Sequence, residues 1–214
     1  MEKPILITGA SRGLGAALAE TLCTTRPILA VARTVGGLED LDDRIKAKGG
    51  SATLAPIDIT DPDAVTHLCT SIASRWGGLS GWVHAAVHAA PLSPATMTGA
   101  KDFAKSTAVN VTATVDLMGK VAPLLDGDAW AMFFDDPRAG QKFFGAYGAT
   151  KAAQIALAQS WAAEATTASP KVHIVTPAPM PTAIRARFFP GEDRAPLTPT
   201  LAEAARLATD AGLI

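Results

Sequence analysis

Short apolar runs alternate with longer helical patterns along most of the chain, and this alternation restricts the possible folds more than any other feature. The runs that predict strands are 4–9, 27–32, 52–58, 79–86, 128–135 and 171–176. The patterns that predict helices are 13–25, 37–49, 63–77, 103–122, 145–167 and 199–211. Because the runs are apolar on both faces, helices must cover both sides of the sheet, and such crossovers favour parallel strands. We predict a doubly wound α/β fold of the Rossmann type, a parallel sheet of about six strands, in one domain spanning 1–214.

The charge balance excludes several classes of partner. The 19 Lys and Arg residues are interspersed with 20 Asp and Glu residues, so no basic surface for nucleic acid or an anionic membrane is predicted. No apolar run approaches the roughly 20 residues that a membrane-spanning helix needs, and the N-terminus lacks the pattern of a signal peptide. Cys23 and Cys69 have no metal-ligand spacing, which argues against a disulfide framework and against a metal site. We expect a cytoplasmic protein that binds a small molecule.

Three glycines stand where the first predicted strand ends and the first predicted helix begins, in the segment LITGASRGLGAALAE. Gly9, Gly13 and Gly15 would let the backbone approach a pyrophosphate at the N-terminus of the helix. A glycine trio is also typical of ordinary strand-to-helix turns. The position after the first strand of a βαβ unit favours dinucleotide binding.

The spacing G-x-x-x-G-x-G resembles that of the short-chain dehydrogenase/reductase family, and the resemblance extends over nearly the whole chain. The segments similar to the family's motifs are TGASRGLG (8–15), APIDIT (55–60), VNVTAT (109–114), YGATKAA (147–153) and TPAPMPT (176–182). The resemblance implies a nicotinamide cofactor held by Gly9, Ser11, Arg12, Gly13, Leu14, Gly15, Arg33, Asp58, Ile59, Ala85 and Thr182. In this assignment Asp58 meets the adenine and Thr182 meets the carboxamide.

The end of the second strand indicates which cofactor is bound. NAD-specific sheets usually carry an acid there, which hydrogen-bonds the ribose 2′-hydroxyl, whereas this chain has Ala32, Arg33 and Thr34. Arg33 can pair bidentately with a 2′-phosphate, and Arg12 can supply a second contact. The alternative is that both arginines are solvated surface residues. The sequence favours NADP(H) over NAD(H).

The only tyrosine of the chain, Tyr147, precedes Lys151 by four positions. Residues i and i+4 share a helix face, and a neighbouring ammonium lowers the pKa of a tyrosine toward working pH, as a general acid/base requires. The resemblance implies that Tyr147 exchanges a proton with the substrate oxygen, that Lys151 also holds the cofactor ribose, and that Asn110 supports a water chain to Lys151. The alternatives are a packing role for Tyr147 and a backbone-bonding amide for Asn110.

The family's active-site serine is missing. Counting back 13 residues from Tyr147 gives Phe134, a slip of one gives Asp135, and no Ser or Thr occurs between Trp130 and Tyr147. An ionised Asp135 would oppose a phenolate, whereas a protonated Asp135 could donate a hydrogen bond as a serine does. The alternative is that Asp135 and Asp136 are solvated residues of a turn at the end of the strand.

Two further segments depart from the family pattern. Its N-N-A-G becomes residues 84–87, His-Ala-Ala-Val, and we interpret His84 as a structural histidine that bonds neighbouring backbone. His88 lies just beyond and is a candidate for substrate contact. Ala178 replaces a glycine where the backbone should approach the nicotinamide.

Residues 180–195 follow the sixth strand, where the family places a mobile substrate lid. Apolar residues in it indicate an apolar substrate, although they could equally pack in the core. The family's last strand, which commonly helps to build a tetramer, is not visible in the sequence. We therefore expect a homodimer through the helices at 103–122 and 145–167.

These observations favour an NADP(H)-dependent oxidoreductase that interconverts a carbonyl and an alcohol on a small, apolar substrate. The retained Tyr147, Lys151 and Asn110 support it. The lost serine and glycine support a second hypothesis, a nucleotide-binding regulator or scaffold with impaired catalysis. A third, a structural subunit that binds nothing, conflicts with the glycines and arginines in the expected places.

Overall fold

The structure, a computed structural model, describes residues 2–164, 166 and 170–214. Its strands are β1 Ile5–Thr8, β2 Ile28–Ala32, β3 Ala52–Pro56, β4 Leu79–His84, β5 Leu125–Phe134 and β6 Lys171–Val175. Its helices are α1 Gly13–Leu22, α2 Val35–Ala47, α3 Pro62–Trp76, α4 Ala100–Thr107, α5 Ala113–Val121, α6 Gly145–Ala163, α7 Ala183–Phe188 and α8 Thr200–Asp210. The six strands form one parallel sheet in the order β3-β2-β1-β4-β5-β6. The predicted Rossmann-type fold is confirmed.

The sheet separates two hydrophobic cores, which explains why its strands are apolar on both faces. In β1, Ile5 and Ile7 point to a core formed with α1, α2 and α8. Leu6, between them, points to a second core formed with α3, α5 and α6. Because side chains alternate across a strand, a run apolar at every position is what a doubly covered sheet requires.

Helix α3 shows how local sequence sets its bounds. The carboxylate of Asp61 accepts hydrogen bonds from the backbone amides of Asp63 and Ala64, and Pro62 occupies the first turn, where its missing N–H costs nothing. Gly77 ends the helix in the left-handed conformation, with φ of 72°.

Several predicted elements differ from the observed ones. The predicted helix at 103–122 is two helices, α4 and α5, joined by a π turn at Ala108–Thr112 in which the amide of Ala113 donates to the carbonyl of Ala108. A hydrophobic repeat of 3.6 residues does not distinguish such a turn from continuous helix. Strand β5 begins three residues before the predicted 128, and the segment after β6 contains the short helix α7. The predicted end of the helix at 145–167 falls partly outside the described residues.

The order of the strands places a crevice above β1 and β4. From β1 the chain winds outward through β2 and β3, then returns to β4 on the opposite side of β1. The connections therefore diverge at the carboxyl ends of these two neighbouring strands, where open parallel sheets bind their ligands. Within the described residues, no helix has both the length and the apolar character needed to cross a bilayer.

Candidate active site

A cavity of about 800 Å³ opens at the carboxyl ends of the strands. Its size suits a large ligand, since ligand sites commonly measure about 300–1,000 Å³. The predicted site residues that line it are Gly9, Ser11, Arg12, Gly13, Leu14, Gly15, Arg33, Asp58, Ile59, Ala85, Asp135, Tyr147, Lys151 and Thr182. Asn110 and the candidate substrate contact His88 lie outside this lining. The fold therefore brings the predicted cofactor loop and the Tyr-Lys pair to one cavity.

The glycine loop between β1 and α1 has a shape that side chains would obstruct. Gly9 has φ of 78°, and a Cβ atom there would lie 2.6 Å from the backbone nitrogen of Ala86. A Cβ atom at Gly15 would overlap the carbonyl oxygen of Gly9. The loop thus packs against the end of β4 and leaves the N-terminus of α1 open to the cavity. This geometry fits the pyrophosphate of a dinucleotide.

Replacing Gly9 with alanine is expected to destabilise the fold by about 2 kcal/mol and to weaken NADPH binding, because the new methyl group meets backbone and the positive φ is strained. Denaturant unfolding and fluorescence titration with NADPH measure the two effects. Gly36→Ala is the matched control. Position 36 lies in α2 with no atom within 4 Å of an added Cβ, so we expect that variant to gain about 0.5–1 kcal/mol. Equal stability of the two variants would contradict the role of Gly9.

Arg33 and Asp58 lie at the far end of the cavity. An Arg33 Nη1 atom is 3.6 Å from an Asp58 carboxylate oxygen; the Arg33 side chain is largely exposed and that of Asp58 is partly exposed. The other Asp58 oxygen accepts hydrogen bonds from the backbone and the hydroxyl of Thr60. Burial raises the pKa of Asp58, but these two bonds and Arg33 outweigh it and leave the pKa below its ordinary value. Asp58 is therefore held by Thr60, while the loosely paired Arg33 remains available to an anionic ligand.

The loop after β6 is anchored from α8. Glu203, 1% exposed, accepts a hydrogen bond from the backbone amide of Ala178 at 2.8 Å and pairs with Arg206. The hydrogen bond from Arg206 is the main reason that the pKa of Glu203 lies below its ordinary value. Thr182 caps α7 by accepting a bond from the amide of Arg185, which leaves its hydroxyl proton free to donate. Nothing in the local sequence pointed to Glu203, which lies 25 residues from Ala178.

Tyr147 and Lys151 lie on the same face of α6, as their spacing predicts, and both are buried on the cavity wall. The ammonium of Lys151 donates to the side-chain oxygen of Gln154, one turn further along the helix. Burial lowers the pKa of Lys151 to about 8, against the opposing effect of Asp136 and Asp135.

Asn110 lies below the cavity floor, fully buried in the π turn. Its side chain exchanges two hydrogen bonds with the backbone of His88 and donates a third to the Thr150 hydroxyl. Its backbone carbonyl accepts from the amide nitrogen of Gln154 and from Thr114. The side chain of Gln154 therefore stands where the resemblance implied a water chain between Asn110 and Lys151.

The carboxylate that meets the tyrosine is Asp136. The Tyr147 hydroxyl donates to Asp136 Oδ2 at 2.8 Å. Arg138 donates to both oxygens of Asp136, from Nε at 2.7 Å and from Nη2 at 2.6 Å. Asp135 lines the cavity, but its side chain accepts a bond from the backbone amide of Asp136. The interpretation of Asp136 as a solvated turn residue was wrong, since it is 9% exposed.

This contact reverses the predicted effect on the tyrosine. Burial and the charge of Asp136, with its hydrogen bond, raise the pKa of Tyr147 well above its ordinary value. The predicted lowering by Lys151 was wrong for the free protein, because the ammonium is bonded to Gln154 and the negative charge is in direct contact with the phenol.

His84 of the replaced N-N-A-G segment and the neighbouring His88 differ in their position relative to the cavity. His84 lines the cavity but is 2% exposed, and its ring nitrogens bond the side-chain hydroxyls of Thr8 and Thr114 at 2.8 and 3.0 Å, not neighbouring backbone as predicted. Burial, with a smaller effect of Lys151, lowers the pKa of His84 to about 3, so its ring is neutral and structural. His88 bonds Ser106 and does not line the cavity. Among the described residues, no group of three His, Cys, Asp or Glu side chains could hold a metal ion.

The segment predicted as a lid packs against the start of α6. The ring centroid of Phe188 lies 4.9 Å from that of Tyr147 and 5.1 Å from that of Phe144. Met180 and Ile184 line the cavity. Part of the predicted apolar inner face is therefore core and part faces the cavity. Mobility of this segment stays a prediction.

The comparisons with known proteins agree with this geometry. The family model for short chain dehydrogenases matches residues 3–193. The chain is 30% identical over 163 residues to sorbitol dehydrogenase of Cereibacter sphaeroides, covering 74% of this chain and 62% of that protein. It is 31% identical over 191 residues to benzil reductase ((S)-benzoin forming) of Saccharomyces cerevisiae, covering 84% and 71%. It spans less than two thirds of the length of several curated relatives, the sorbitol dehydrogenase among them.

The solved structure of a short chain dehydrogenase from Escherichia coli CFT073 complexed with NADPH superimposes with a TM-score of 0.87 at 26% identity, over 98% of this chain and 88% of that one. The match of the family model covers most of the chain and includes the glycine loop, Tyr147 and Lys151. The chain belongs to the short chain dehydrogenase family.

Proposed function

We propose that this protein is an NADP(H)-dependent oxidoreductase that interconverts a carbonyl and an alcohol on a small, apolar substrate. The observation that carries the proposal is the single cavity that joins the glycine loop and Arg33 at one end to Tyr147 and Lys151 at the other. When bound, the nicotinamide supplies or accepts the hydride. Tyr147 holds the substrate oxygen, and Lys151 holds the cofactor ribose.

The substrate class is supported by the apolar side chains on the cavity wall near Tyr147. Met180 and Ile184 line the cavity, whereas Phe144 and Phe188 are buried and pack against the Tyr147 ring from behind the wall. A relative named benzil reductase acts on a substrate of the kind that such a surface suits. We therefore expect aryl ketones and aryl carbinols to be better substrates than polyols.

A titration of the purified protein with NADPH and NADH, followed by turnover assays on aryl ketones, diketones and carbinols, tests the proposal. Tight binding of NADPH with turnover supports it. Tight binding without turnover on any of these compounds would instead support a nucleotide-binding regulator. The raised pKa of Tyr147 and the bond from Lys151 to Gln154 are the features that favour that second function.

Replacing Arg33 with glutamate is expected to weaken NADPH binding by about 10- to 100-fold while changing NADH affinity much less, because the 2′-phosphate loses a bidentate partner and meets a negative charge. Isothermal titration calorimetry with NADPH and with NADH measures the two affinities. Arg26→Glu, which makes the same charge change at the amino end of β2, is the control. Equal weakening of both cofactors by Arg33→Glu would contradict the NADP(H) preference.

The proposal extends to assembly and location. Phe103 of α4 and Val115 of α5 are large apolar residues exposed on the surface, 44% and 52% respectively, which supports a homodimer through these helices and α6. Cys23 and Cys69 are free and buried, which fits a reducing cytoplasm.

A further inference from the structure

The single proton of the Tyr147 hydroxyl is directed away from the substrate. It is donated to Asp136 Oδ2 at 2.8 Å. A phenol has one proton and two acceptor sites, so the oxygen that faces the cavity offers lone pairs only. A carbonyl oxygen cannot hydrogen-bond to such a group, whereas an alcohol can donate to it. The free site is therefore complementary to a hydroxyl group.

Asp136 is held in the ionised form that can take this proton. Burial raises the pKa of Asp136, but the hydrogen bonds from Arg138 and Tyr147 outweigh it, and the pKa lies below its ordinary value. Arg138 is in turn held over the rings of Phe144 and Phe188, at 5.5 and 5.6 Å from their centroids. The Asp136 carboxylate is thus held in place by Arg138 and Tyr147 together.

The opposite route for the proton is obstructed. Lys151 donates to the oxygen of Gln154, and the nitrogen of Gln154 donates to the carbonyl of Asn110 and to Thr114. An amide side chain does not exchange protons as a water molecule or a hydroxyl group does, since its N–H groups are not acidic. The side chain of Gln154 therefore interrupts a chain of proton-exchanging groups from Lys151 to Asn110.

We propose that Asp136 is the proton acceptor of the reaction, so that Tyr147 works as a neutral relay between an alcohol and this carboxylate instead of as a phenolate. This inference rests on the proposed function. It commits the site to alcohols as the substrates that the free protein binds productively.

The step balances without a further reactant. As the hydride leaves the carbinol carbon for the oxidised nicotinamide, the alcohol O–H bond breaks and its proton moves to Tyr147 Oη. The phenol proton moves at the same time to Asp136 Oδ2, and the C–O bond becomes a carbonyl. Asp136, which lies on the cavity wall, then releases the proton to water. In reduction every transfer reverses, and Asp136 must first be protonated.

This mechanism sets the direction of the pH dependence. Four charged groups lie around the pair: Asp135, Arg138 and Lys151 beside it, and Glu192 near Arg138. Because the pKa of Asp136 is lowered, the acceptor is ionised throughout the neutral range, and the rate of alcohol oxidation should not vary with pH there as long as Lys151, whose pKa is about 8, keeps its charge. The rate of ketone reduction should rise as the pH falls. A phenolate mechanism would instead make oxidation rise with pH.

The first test needs neither cofactor nor substrate, because Tyr147 is the only tyrosine. Ultraviolet difference spectroscopy during an alkaline titration reports its ionisation alone. We expect no tyrosinate in the wild type until the protein unfolds, and a midpoint at least about 1 pH unit lower in Asp136→Asn. Asp135→Asn removes an equal charge one residue away and should move the midpoint less. Ionisation of Tyr147 in the folded wild type below about pH 10 would overturn the proposal.

The second test is the pH profile of aryl carbinol oxidation with NADP⁺. Asp136→Asn should lower the rate by about 10²- to 10⁴-fold at neutral pH, and the remaining rate should rise about tenfold per pH unit, because Tyr147 must then ionise by itself. A wild-type rate that rises with pH, or a variant faster than the wild type, would contradict Asp136 as acceptor while leaving the proposed function intact. A wild type that binds NADPH but turns over no substrate would contradict the proposed function and, with it, the role of Asp136 as acceptor, while the spectroscopic titration would still show whether Asp136 raises the pKa of Tyr147.

Discussion

Replacing Tyr147 with phenylalanine is expected to lower kcat/KM for carbinol oxidation by about 10³-fold or more, because the only atom lost is the oxygen that exchanges a proton with the substrate. The ring remains, and with it the contacts to Phe144 and Phe188. Asp136 also keeps both bonds from Arg138, so we expect the free energy of unfolding to change by only about 1 kcal/mol. Steady-state kinetics and denaturant unfolding measure the two quantities.

NADPH affinity should be nearly the same in Tyr147→Phe and the wild type, because the glycine loop and Arg33 are untouched. Ser160→Ala changes an exposed residue of the same helix and is the control for the effect of any substitution in α6 on NADPH affinity and turnover. A variant that binds NADPH and turns over as fast as the wild type would show that another group supplies the proton. A variant that also loses NADPH binding would show that the substitution disturbs the whole cavity.

The fold and the cofactor end of the site were predictable because their signals are local. Each strand is a short apolar run, and each connection a helical pattern of the right length. The glycine loop has φ values and close contacts that only glycine tolerates, so its position after β1 is visible in the residues themselves. The i, i+4 spacing of Tyr147 and Lys151 likewise follows from helix geometry.

The partner of the tyrosine was not predictable, because it depends on the path of the loop between β5 and α6. That loop includes Phe143 with φ of 73°, an unusual conformation for an aromatic residue, and it turns Asp136 and not Asp135 toward Tyr147. Counting residues back from Tyr147 cannot resolve a difference of one position when the loop is irregular.

Gln154 could have been found from the sequence. It follows Lys151 by three positions, so it lies on the same face of the helix, and a polar residue on the buried face of α6 requires a partner. The resemblance drew attention to Tyr147, Lys151 and Asn110 instead. Gln154 determines how Lys151 and Asn110 are connected, because its side-chain amide accepts a hydrogen bond from the lysine and donates one to the carbonyl of Asn110.

Lys151 carries a stability cost that its role in the site explains. It is 6% exposed, and burial lowers its pKa from 10.5 to about 8. At neutral pH the charged lysine therefore costs the fold on the order of 3 kcal/mol relative to its neutral form. A group with this cost is expected where function requires a charge, here beside the ribose of the proposed cofactor.

Replacing Lys151 with methionine is expected to lower kcat/KM by about 10²-fold and to remove this pH dependence of stability. Below about pH 8 both folded and unfolded wild-type chains hold the proton, and the cost is present in full. Between about pH 8 and pH 10.5 the unfolded chain holds more protons, so wild-type stability should rise relative to Lys151→Met by about 3 kcal/mol. Denaturant unfolding of both proteins across this range measures the difference. Lys101→Met, which removes an exposed lysine of α4, is the control, and the stability of the wild type should not rise relative to this variant over the same pH range. If the difference in unfolding free energy between wild type and Lys151→Met stays constant with pH, then the charge on Lys151 does not destabilise the folded protein.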